Sequence, residues 1–301
     1  MISGIGCIAY DRVLFTNALW SDGKGKITKE EFRFGGNIRN ALAAVASLGE
    51  EAAYLGTVSD APEWKIVVDG LKSSGISTEY MDYKAGSHPA IADVIILKDS
   101  DRYIAYDDSS LQLLALPSAD KLKIALSKTK LLMVDSNTAP AGTLAVMKKA
   151  RELNIPIVLD SEREGIAPDE FKEVIALATE PILPYAFAVK LTGETEIALI
   201  LKKLWNPNRS VVIVTDGAKG SFWITAADQS PTHTPVFDVN PVDSNGTGDV
   251  FHGAYAVARV RGKEIGEAIV YATAAAASFI ALPVGAQRVP SEITINQLLS
   301  R

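Results

Sequence analysis

Apolar runs and stretches with helical spacing alternate along most of the chain. Leu131 to Asp135 and Ile155 to Asp160 are short apolar runs of strand length that end at an acid. Residues 140–154 and 168–179 have helical spacing and follow these two runs. Because strands that are apolar on both faces and alternate with helices are typical of covered parallel sheets, the pattern predicts an α/β protein.

The N-terminal stretch from Ile2 to Ala9 predicts a buried first strand. It runs into Asp11, which places an acid at the carboxyl end of an expected central strand. Ligands of open α/β sheets bind at that edge. Asp11 is therefore a candidate binding residue, although an aspartate that caps a turn explains the position as well.

Two separate stretches have the short alternating pattern of antiparallel strands. Residues 12–34 predict a β-hairpin, and residues 89–108 contain two further strand patterns around a polar turn. We expect the two pieces to pair into one small sheet. The predicted organisation is a core formed by residues 1–11, 35–88 and 109–301, with residues 12–34 and 89–108 forming the small sheet.

Composition and charge exclude several classes of protein. The 301 residues are 48% hydrophobic, which is ample for a large core, and the single cysteine and three histidines lack structural zinc spacing. The formal charge is −6, without the Lys/Arg block that nucleic-acid binding requires. The apolar N-terminus is too short for a membrane span and has no basic residues before it. We therefore expect a cytoplasmic protein without nucleic-acid or membrane partners.

The segment from Asp243 to Asp249 places two glycines and an acid where a loop becomes an alanine-rich helix. Glycine turns and helix N-termini present N–H groups that bind anions, phosphate above all. Because a carboxylate repels phosphate, Asp249 in this position suggests a base that takes a proton from the group attacking the phosphate. An ordinary helix start with an acid in its first turn is the alternative.

Two strings of residues closely resemble the signatures of the ribokinase-like (PfkB) carbohydrate kinases. Asp243-Ser244-x-Gly246-Thr247-Gly248-Asp249-x-Phe251 resembles their C-terminal signature, and Gly35-Gly36 followed by Asn40 resembles the N-terminal one. The resemblance implies a three-layer αβα ribokinase-like fold with a mainly parallel central sheet and a small β-sheet lid. It also implies an ATP-dependent kinase that phosphorylates a hydroxyl of a small sugar or sugar derivative. Ketohexokinase-like, fructokinase-like and sulfofructose-kinase-like subfamilies all fit.

The same resemblance implies the site residues and partners. Asp249 would be the base, and the backbone around it would form the anion hole. ATP and Mg²⁺ would be required, a monovalent cation such as K⁺ stays open because the Asp243 loop could contribute to its site, and the lid could form a homodimer. The catalytic set implied is Asp249, Gly246, Thr247 and Gly248; the sugar-binding set is Asp11, Gly36, Asn37 and Asn40; the nucleotide-binding set is Thr215, Gly217, Gly220 and Thr273.

One family element is missing. An N-x-x-E string that helps hold magnesium commonly precedes Leu191-Thr192-Gly193, but here the matching positions are Pro184 and Phe187. The metal ligands are therefore unknown from the sequence: either Asp160 or Glu162 substitutes, or turnover is weak. Because of this departure, the alternative remains that the protein is a sensor that binds a sugar or nucleotide without turnover.

A nucleoside kinase, a sulfonated substrate and a nicotinamide-binding domain find less support in the sequence. The nucleoside kinase is disfavoured because aromatic residues that could stack on a base are sparse in the lid segments. No Arg or Lys is evidently placed for a sulfonate, so that substrate is not adopted. The nicotinamide-binding domain is excluded because Gly4-Ile5-Gly6 lies inside the first strand pattern. His252, one turn after Asp249, is interpreted as a packing residue.

Overall fold

A computed structural model describes residues 1–17, 24–59, 62–83, 90–97, 102–107, 117–136, 140–161, 168–283 and 288–301. The strands in these ranges are β1 (Ile2–Ile5), β2 (Ala9–Thr16), β3 (Ile27–Gly35), β4 (Ala52–Tyr54), β5 (Thr57–Val58), β6 (Ile76–Ser77), β7 (Asp82–Tyr83), β8 (Ala90–Leu97), β9 (Arg102–Asp107), β10 (Leu131–Asp135), β11 (Ile157–Asp160), β12 (Glu180–Pro184), β13 (Val212–Thr215), β14 (Ser221–Ile224) and β15 (Thr232–Thr234).

The helices are α1 (Asn37–Ser47), α2 (Pro62–Ser73), α3 (Ala119–Lys128), α4 (Pro140–Glu152), α5 (Pro168–Leu177), α6 (Tyr185–Thr192), α7 (Ile197–Leu204), α8 (Thr247–Val260), α9 (Ile265–Ile280) and α10 (Glu292–Leu299). In the ranges given above, none of these helices combines the length and hydrophobicity needed to cross a bilayer.

The central sheet is mainly parallel and covered on both faces. Within the described ranges it contains nine strands in the order β15-β14-β13-β12-β11-β10-β1-β4-β6, and only β14, next to the edge strand β15, runs antiparallel to its neighbours. Neighbouring residues of one strand, such as Val158 and Leu159, belong to separate buried clusters on opposite faces. One cluster includes α1, α8 and α9, and the other includes α4 and α7. This is the α/β architecture that the apolar pattern predicts.

The small sheet combines two stretches that are distant in sequence. In the part of the chain that the structure describes, it has four strands in the order β3-β2-β8-β9. Strand β2 pairs antiparallel with β3 and parallel with β8, so the predicted hairpin and the second predicted stretch share one sheet. The predicted boundaries at 88/89 and 108/109 lie outside the described residues, and the function of this sheet as a lid remains a prediction.

The prediction of one N-terminal strand that places Asp11 at the end of the central sheet is wrong. Strand β1 ends at Ile5, and Asp11 lies on β2 of the small sheet. The chain turns at Gly6, where a Cβ atom would lie 2.4 Å from the Cβ of Asp135. The Asp135 carboxylate also accepts the N–H of Cys7 at 2.9 Å, so buried groups of β10 force the chain out of the central sheet.

Candidate active site

Two cavities meet at Asp249. The first, about 500 Å³, has mostly apolar walls, and we call it the apolar cavity. The second, about 430 Å³, is lined by polar groups of α1, the small sheet and the loop before α8, and we call it the polar cavity. Ser244, Gly248 and Asp249 line both cavities. The carboxyl-terminal residues of β11, β12 and β13 also line the apolar cavity, so the two cavities lie at the ligand-binding edge of the sheet.

The first turn of α8 faces the junction of the two cavities. Gly246 precedes the helix with φ 75°, a left-handed conformation that glycine adopts without strain. Because helix α8 begins at Thr247, its N-terminal amides and the positive end of its dipole favour an anion here. Among the described residues the buried Thr247 hydroxyl has no hydrogen-bond partner, and it lines the apolar cavity. An anionic oxygen acceptor would satisfy these donors.

Asn40 holds the carboxylate of Asp249. Its side-chain N–H donates to Asp249 Oδ2 at 2.8 Å, and its Oδ1 accepts from Arg39 Nη1 at 3.2 Å. The guanidinium group therefore fixes which end of the amide faces Asp249. Helices α1 and α8 pack closely because residue 253 is glycine: a Cβ atom there would lie 2.3 Å from the Ala41 carbonyl oxygen. This helix contact positions Asn40 against Asp249.

The predicted sugar-binding residues all line the polar cavity. Asp11 reaches this cavity from β2. Its carboxylate occupies the space that a side chain at position 35 would need, since a Cβ atom on Gly35 would lie 2.2 Å from Asp11 Oδ2. Burial raises the pKa of Asp11 to about 6, although Arg33 and Arg39 act in the opposite direction. Asn37 donates to Asp160 Oδ2 at 3.3 Å. Gly36 has φ 95° and no room for a side chain beside the Cys7 carbonyl group.

Three arginines of the polar cavity are absent from the sequence-based prediction. Arg33, Arg39 and Arg288 all line it. Arg33 pairs with Glu31 at 2.7 Å and Arg288 pairs with an aspartate at 2.6 Å, while Arg39 bonds to amide and hydroxyl oxygens. Only Arg39 had a usable signal in the sequence, since it interrupts an otherwise small and apolar helix. The partner of Arg33, Glu31, is only two residues away, whereas the pairing of Arg288 across 45 residues becomes visible only in the folded chain.

The predicted nucleotide-binding residues line the apolar cavity. Thr215 ends β13, Gly217 and Gly220 lie in the turn after it, and Thr273 reaches the cavity from α9. Gly220 has φ 84°, and a Cβ atom there would lie 2.2 Å from the Thr234 carbonyl oxygen, so only glycine fits this turn. Ala276, Ala277 and Ile280 of α9 continue the wall, in keeping with a flat apolar ligand group.

His252 is buried below the first turn of α8. Its Nδ1 lies 2.7 Å from the Gly248 carbonyl oxygen and its Nε2 lies 3.1 Å from the Ile182 carbonyl oxygen. Because a carbonyl group only accepts, the doubly protonated ring satisfies both contacts, whereas either neutral tautomer satisfies only one. Burial alone would lower its pKa, but Asp160, the two carbonyl groups and Asp249 raise it above the ordinary value. The ring is packed as predicted, and its surroundings favour the protonated form beside the first turn of α8.

The described residues do not form a metal cage. Among them no group of three Asp, Glu, His or Cys side chains converges in a way that could hold an ion. Asp160 accepts from Asn37, and its Oδ1 lies 3.6 Å from His252 Nε2. Pro184 lines the apolar cavity and Phe187 is buried, while the other candidate, Glu162, lies outside the described residues.

Comparisons with known proteins agree with this geometry. The profile of the pfkB family carbohydrate kinases matches residues 1–292. A ribokinase from Bacillus subtilis is 24% identical over 268 residues, which is 88% of this chain and 87% of that protein. A probable fructokinase-4 from Arabidopsis thaliana is 26% identical over 238 residues, which is 73% of this chain and 71% of that protein. The structure of an Arabidopsis thaliana ribokinase complexed with ribose and ATP superposes with a TM-score of 0.85 at 20% identity and covers 100% of this chain and 98% of that one.

Proposed function

Since the chain belongs to the pfkB family of carbohydrate kinases, we propose that it transfers the γ-phosphate of ATP to a hydroxyl group of a small sugar or sugar derivative. The family establishes a ribokinase-like fold and a phosphotransferase with a hydroxyl acceptor. The observation that carries the proposal is that Asp249 lies where the apolar and polar cavities meet. The apolar cavity suits a nucleotide, and the polar cavity suits a polyol.

The residues around Asp249 support an in-line transfer. Asp249 takes the proton of the sugar hydroxyl, the alkoxide oxygen forms a bond to the γ-phosphorus, and the bond from that phosphorus to the β-phosphate bridging oxygen breaks, so that ADP leaves. The amides at the start of α8 and the Thr247 hydroxyl stabilise the negative charge that develops on the transferred group. The proton then passes from Asp249 to solvent.

In the polar cavity, Asp11, Asn37 and Asn40 hold the sugar. Carboxylate and amide oxygens accept the protons of its hydroxyl groups, and amide N–H groups donate to its oxygens. Asn40 has two roles: it contacts the sugar, and its side-chain N–H donates the hydrogen bond that orients Asp249. These contacts keep the reacting oxygen close to Asp249, and such positioning lowers the barrier of a two-substrate reaction.

Magnesium would neutralise charge on the nucleotide phosphates. Because proteins commonly hold Mg²⁺ through one or two carboxylates together with substrate phosphates and water, no closed protein cage is needed. The described carboxylates do not offer such a cage, and Asp160 is already engaged by Asn37. We therefore assign no protein step to the metal and expect the ion to arrive with the nucleotide.

The small sheet is proposed as a lid over the sugar and as a surface for self-association. Its strands supply Asp11 and other groups to one side of the polar cavity. Ile27, Phe32 and Tyr103 of these strands are exposed to solvent and do not line the polar cavity. Exposed apolar groups on one element are typical of interfaces, so a homodimer formed through this sheet is expected, in the cytoplasm where ATP and sugars are available.

The proposal is tested by ADP release from purified protein with ATP, MgCl₂ and a panel of aldoses, ketoses, sugar phosphates and nucleosides. Turnover with a sugar that falls about 10²- to 10⁴-fold in Asp249→Asn supports the kinase. Nucleotide binding by this variant, measured by calorimetry, serves as the control for folding. Tight sugar binding without turnover by the wild-type protein would show a sensor instead, and turnover confined to nucleosides would show a nucleoside kinase.

A further inference from the structure

One buried guanidinium group holds the loop before α8. Arg288 donates from Nη1 to Asp243 Oδ2 at 2.6 Å and from Nη2 to the carbonyl oxygens of Asp243 and Phe279, at 2.8 Å each. Its side chain is 9% exposed, and its guanidinium carbon lies 4.3 Å from the centroid of the Phe279 ring. Three oxygen acceptors and an aromatic face therefore surround one cation.

Both groups that Arg288 binds also contact the segment that forms the anion hole. Asp243 Oδ1 accepts the N–H of Asn245 at 2.9 Å. The Phe279 ring lies 3.7 Å from the position that a Cβ atom on Gly246 would take. The Ile280 carbonyl group also accepts the N–H groups of Val242 and Asp243. Loss of the guanidinium group would remove the contacts that tie Asp243 to Phe279, so the turn into Gly246 and the first turn of α8 would be held less firmly.

The acceptors around Arg288 are of the kind that bind metal cations. Main-chain carbonyl oxygens replace the hydration shell of K⁺ in proteins, and a carboxylate adds the compensating charge. From the sequence, the Asp243 loop could contribute to a monovalent-ion site, and in the structure a guanidinium group binds the oxygens of Asp243. Unlike a bound ion, this cation cannot dissociate, and its planar donors match several oxygens at once.

We propose that Arg288 is a built-in cation that positions the anion hole, so that phosphoryl transfer by this chain does not depend on a monovalent cation. This inference rests on the proposed kinase function. Arg288 acts through Asp243 and Phe279 and is a positioning residue.

The test compares kcat in KCl, NaCl and choline chloride at equal ionic strength. The wild-type protein is expected to have the same kcat in all three salts. Arg288→Ala is expected to lose about 10- to 100-fold in kcat in choline chloride, since misplacement of a catalytic group by about 1 Å has effects of this size. KCl should restore part of that kcat and raise the melting temperature of the variant, because the vacated oxygens can accept K⁺. Arg288→Lys should retain more activity than Arg288→Ala.

Arg261→Ala is the matched control. Arg261 also bonds to carboxylates and a carbonyl group, those of Glu50, Glu292 and Leu48, but it lines neither the apolar nor the polar cavity. This variant should lose stability without a change in kcat or in salt response. Activation of the wild-type protein by KCl, or an Arg288→Ala kcat equal to that of Arg261→Ala, would overturn the proposal.

Melting temperatures separate this inference from the proposed function. If the wild-type protein phosphorylates none of the sugars, sugar phosphates or nucleosides in the panel, the kinase proposal fails. The effect of KCl on the melting temperatures can still be measured. A KCl-dependent increase in the melting temperature of Arg288→Ala that the wild-type protein lacks supports the built-in cation. An equal response of both proteins to KCl contradicts it.

Discussion

The side chains of Asn40 and Asp249, 209 residues apart in sequence, share a hydrogen bond of 2.8 Å between the first turns of α1 and α8. This bond links helix α1, which lines the polar cavity, with helix α8, which carries the proposed base. It holds the Asp249 carboxylate at the junction of the two cavities, where a substrate hydroxyl can meet it. Arg39 supports the arrangement by binding the opposite end of the Asn40 amide.

Arg39→Met should lower kcat through Asn40. Without the guanidinium group, the amide loses the 3.2 Å contact that fixes its orientation. A net hydrogen-bond contribution of about 1 kcal/mol corresponds to about a fivefold decrease in kcat. Asn40→Ala should have a larger effect, because it removes the bond to Asp249 itself. If Arg39 acts through Asn40, the double variant will have the kcat of Asn40→Ala alone.

Ser74→Ala is the control for this cycle, since it removes the other hydrogen bond of Arg39, at 2.7 Å, and leaves the contact with Asn40. Its kcat should stay at the wild-type value. Additive effects of Arg39→Met and Asn40→Ala would show that the two side chains act independently, and the relay would then be wrong.

Much of the fold could be predicted from apolar runs because most strands of the central sheet are buried on both faces. Strand β12 is an instructive failure: Glu180-Pro181-Ile182-Leu183-Pro184 contains a charge and two prolines, so its strand pattern is hidden. In the folded chain, Tyr255 donates to the Glu180 carboxylate at 2.7 Å and Arg259 pairs with it. Partners that lie more than 70 residues away make this strand possible, and a local pattern cannot reveal them.

The site was predictable where a local motif fixes the backbone. Gly246 to Asp249 needs only a glycine turn and a helix start, and both are encoded by neighbouring residues. The position of Asp11 depended instead on the break at Gly6, which arises from contact with Asp135. The role of Arg288 depends on acceptors 45 and 9 residues away. Motif reading therefore located Asp249 and its partner Asn40 but missed Arg39 and Arg288, which contact the groups around them.

Asp11→Asn should stabilise the protein and weaken sugar binding. The Asp11 pKa is raised from 3.8 to about 6, so between these values the folded state keeps a proton that the unfolded state has released. Stability therefore falls as the pH rises from about 4 to 6, and the cost above pH 6 is about 3 kcal/mol. The variant should melt at a higher temperature than the wild-type protein at pH 7 and at a similar temperature below pH 4.

The same substitution should raise the KM for the sugar about 10- to 100-fold, because hydrogen bonds to a charged group contribute more than neutral ones. Asp93→Asn is the control: Asp93 lies on β8 of the same sheet, but its side chain is 46% exposed. It should change neither the melting temperature nor the KM. A lower melting temperature for Asp11→Asn at pH 7 would contradict the burial argument.

His252→Asn should remove a pH dependence from folding stability. Asp160, the carbonyl groups of Gly248 and Ile182, and Asp249 outweigh the effect of burial and raise the His252 pKa above 6.5. The protonated ring therefore contributes stability that is fully present below pH 6.5 and is lost as the pH rises through the raised pKa. Melting temperatures of the wild-type protein and the variant, measured from pH 6 to 9, should differ most at the acidic end and converge at the basic end.

His233→Asn is the control. It changes an exposed histidine and should leave the pH dependence of the melting temperature as it is in the wild-type protein. The His252 ring also lines the apolar cavity, so deprotonation of the ring should raise the KM of the wild-type protein for ATP over the same pH range. If the difference in melting temperature between His252→Asn and the wild-type protein is the same at every pH, the ring is neutral throughout.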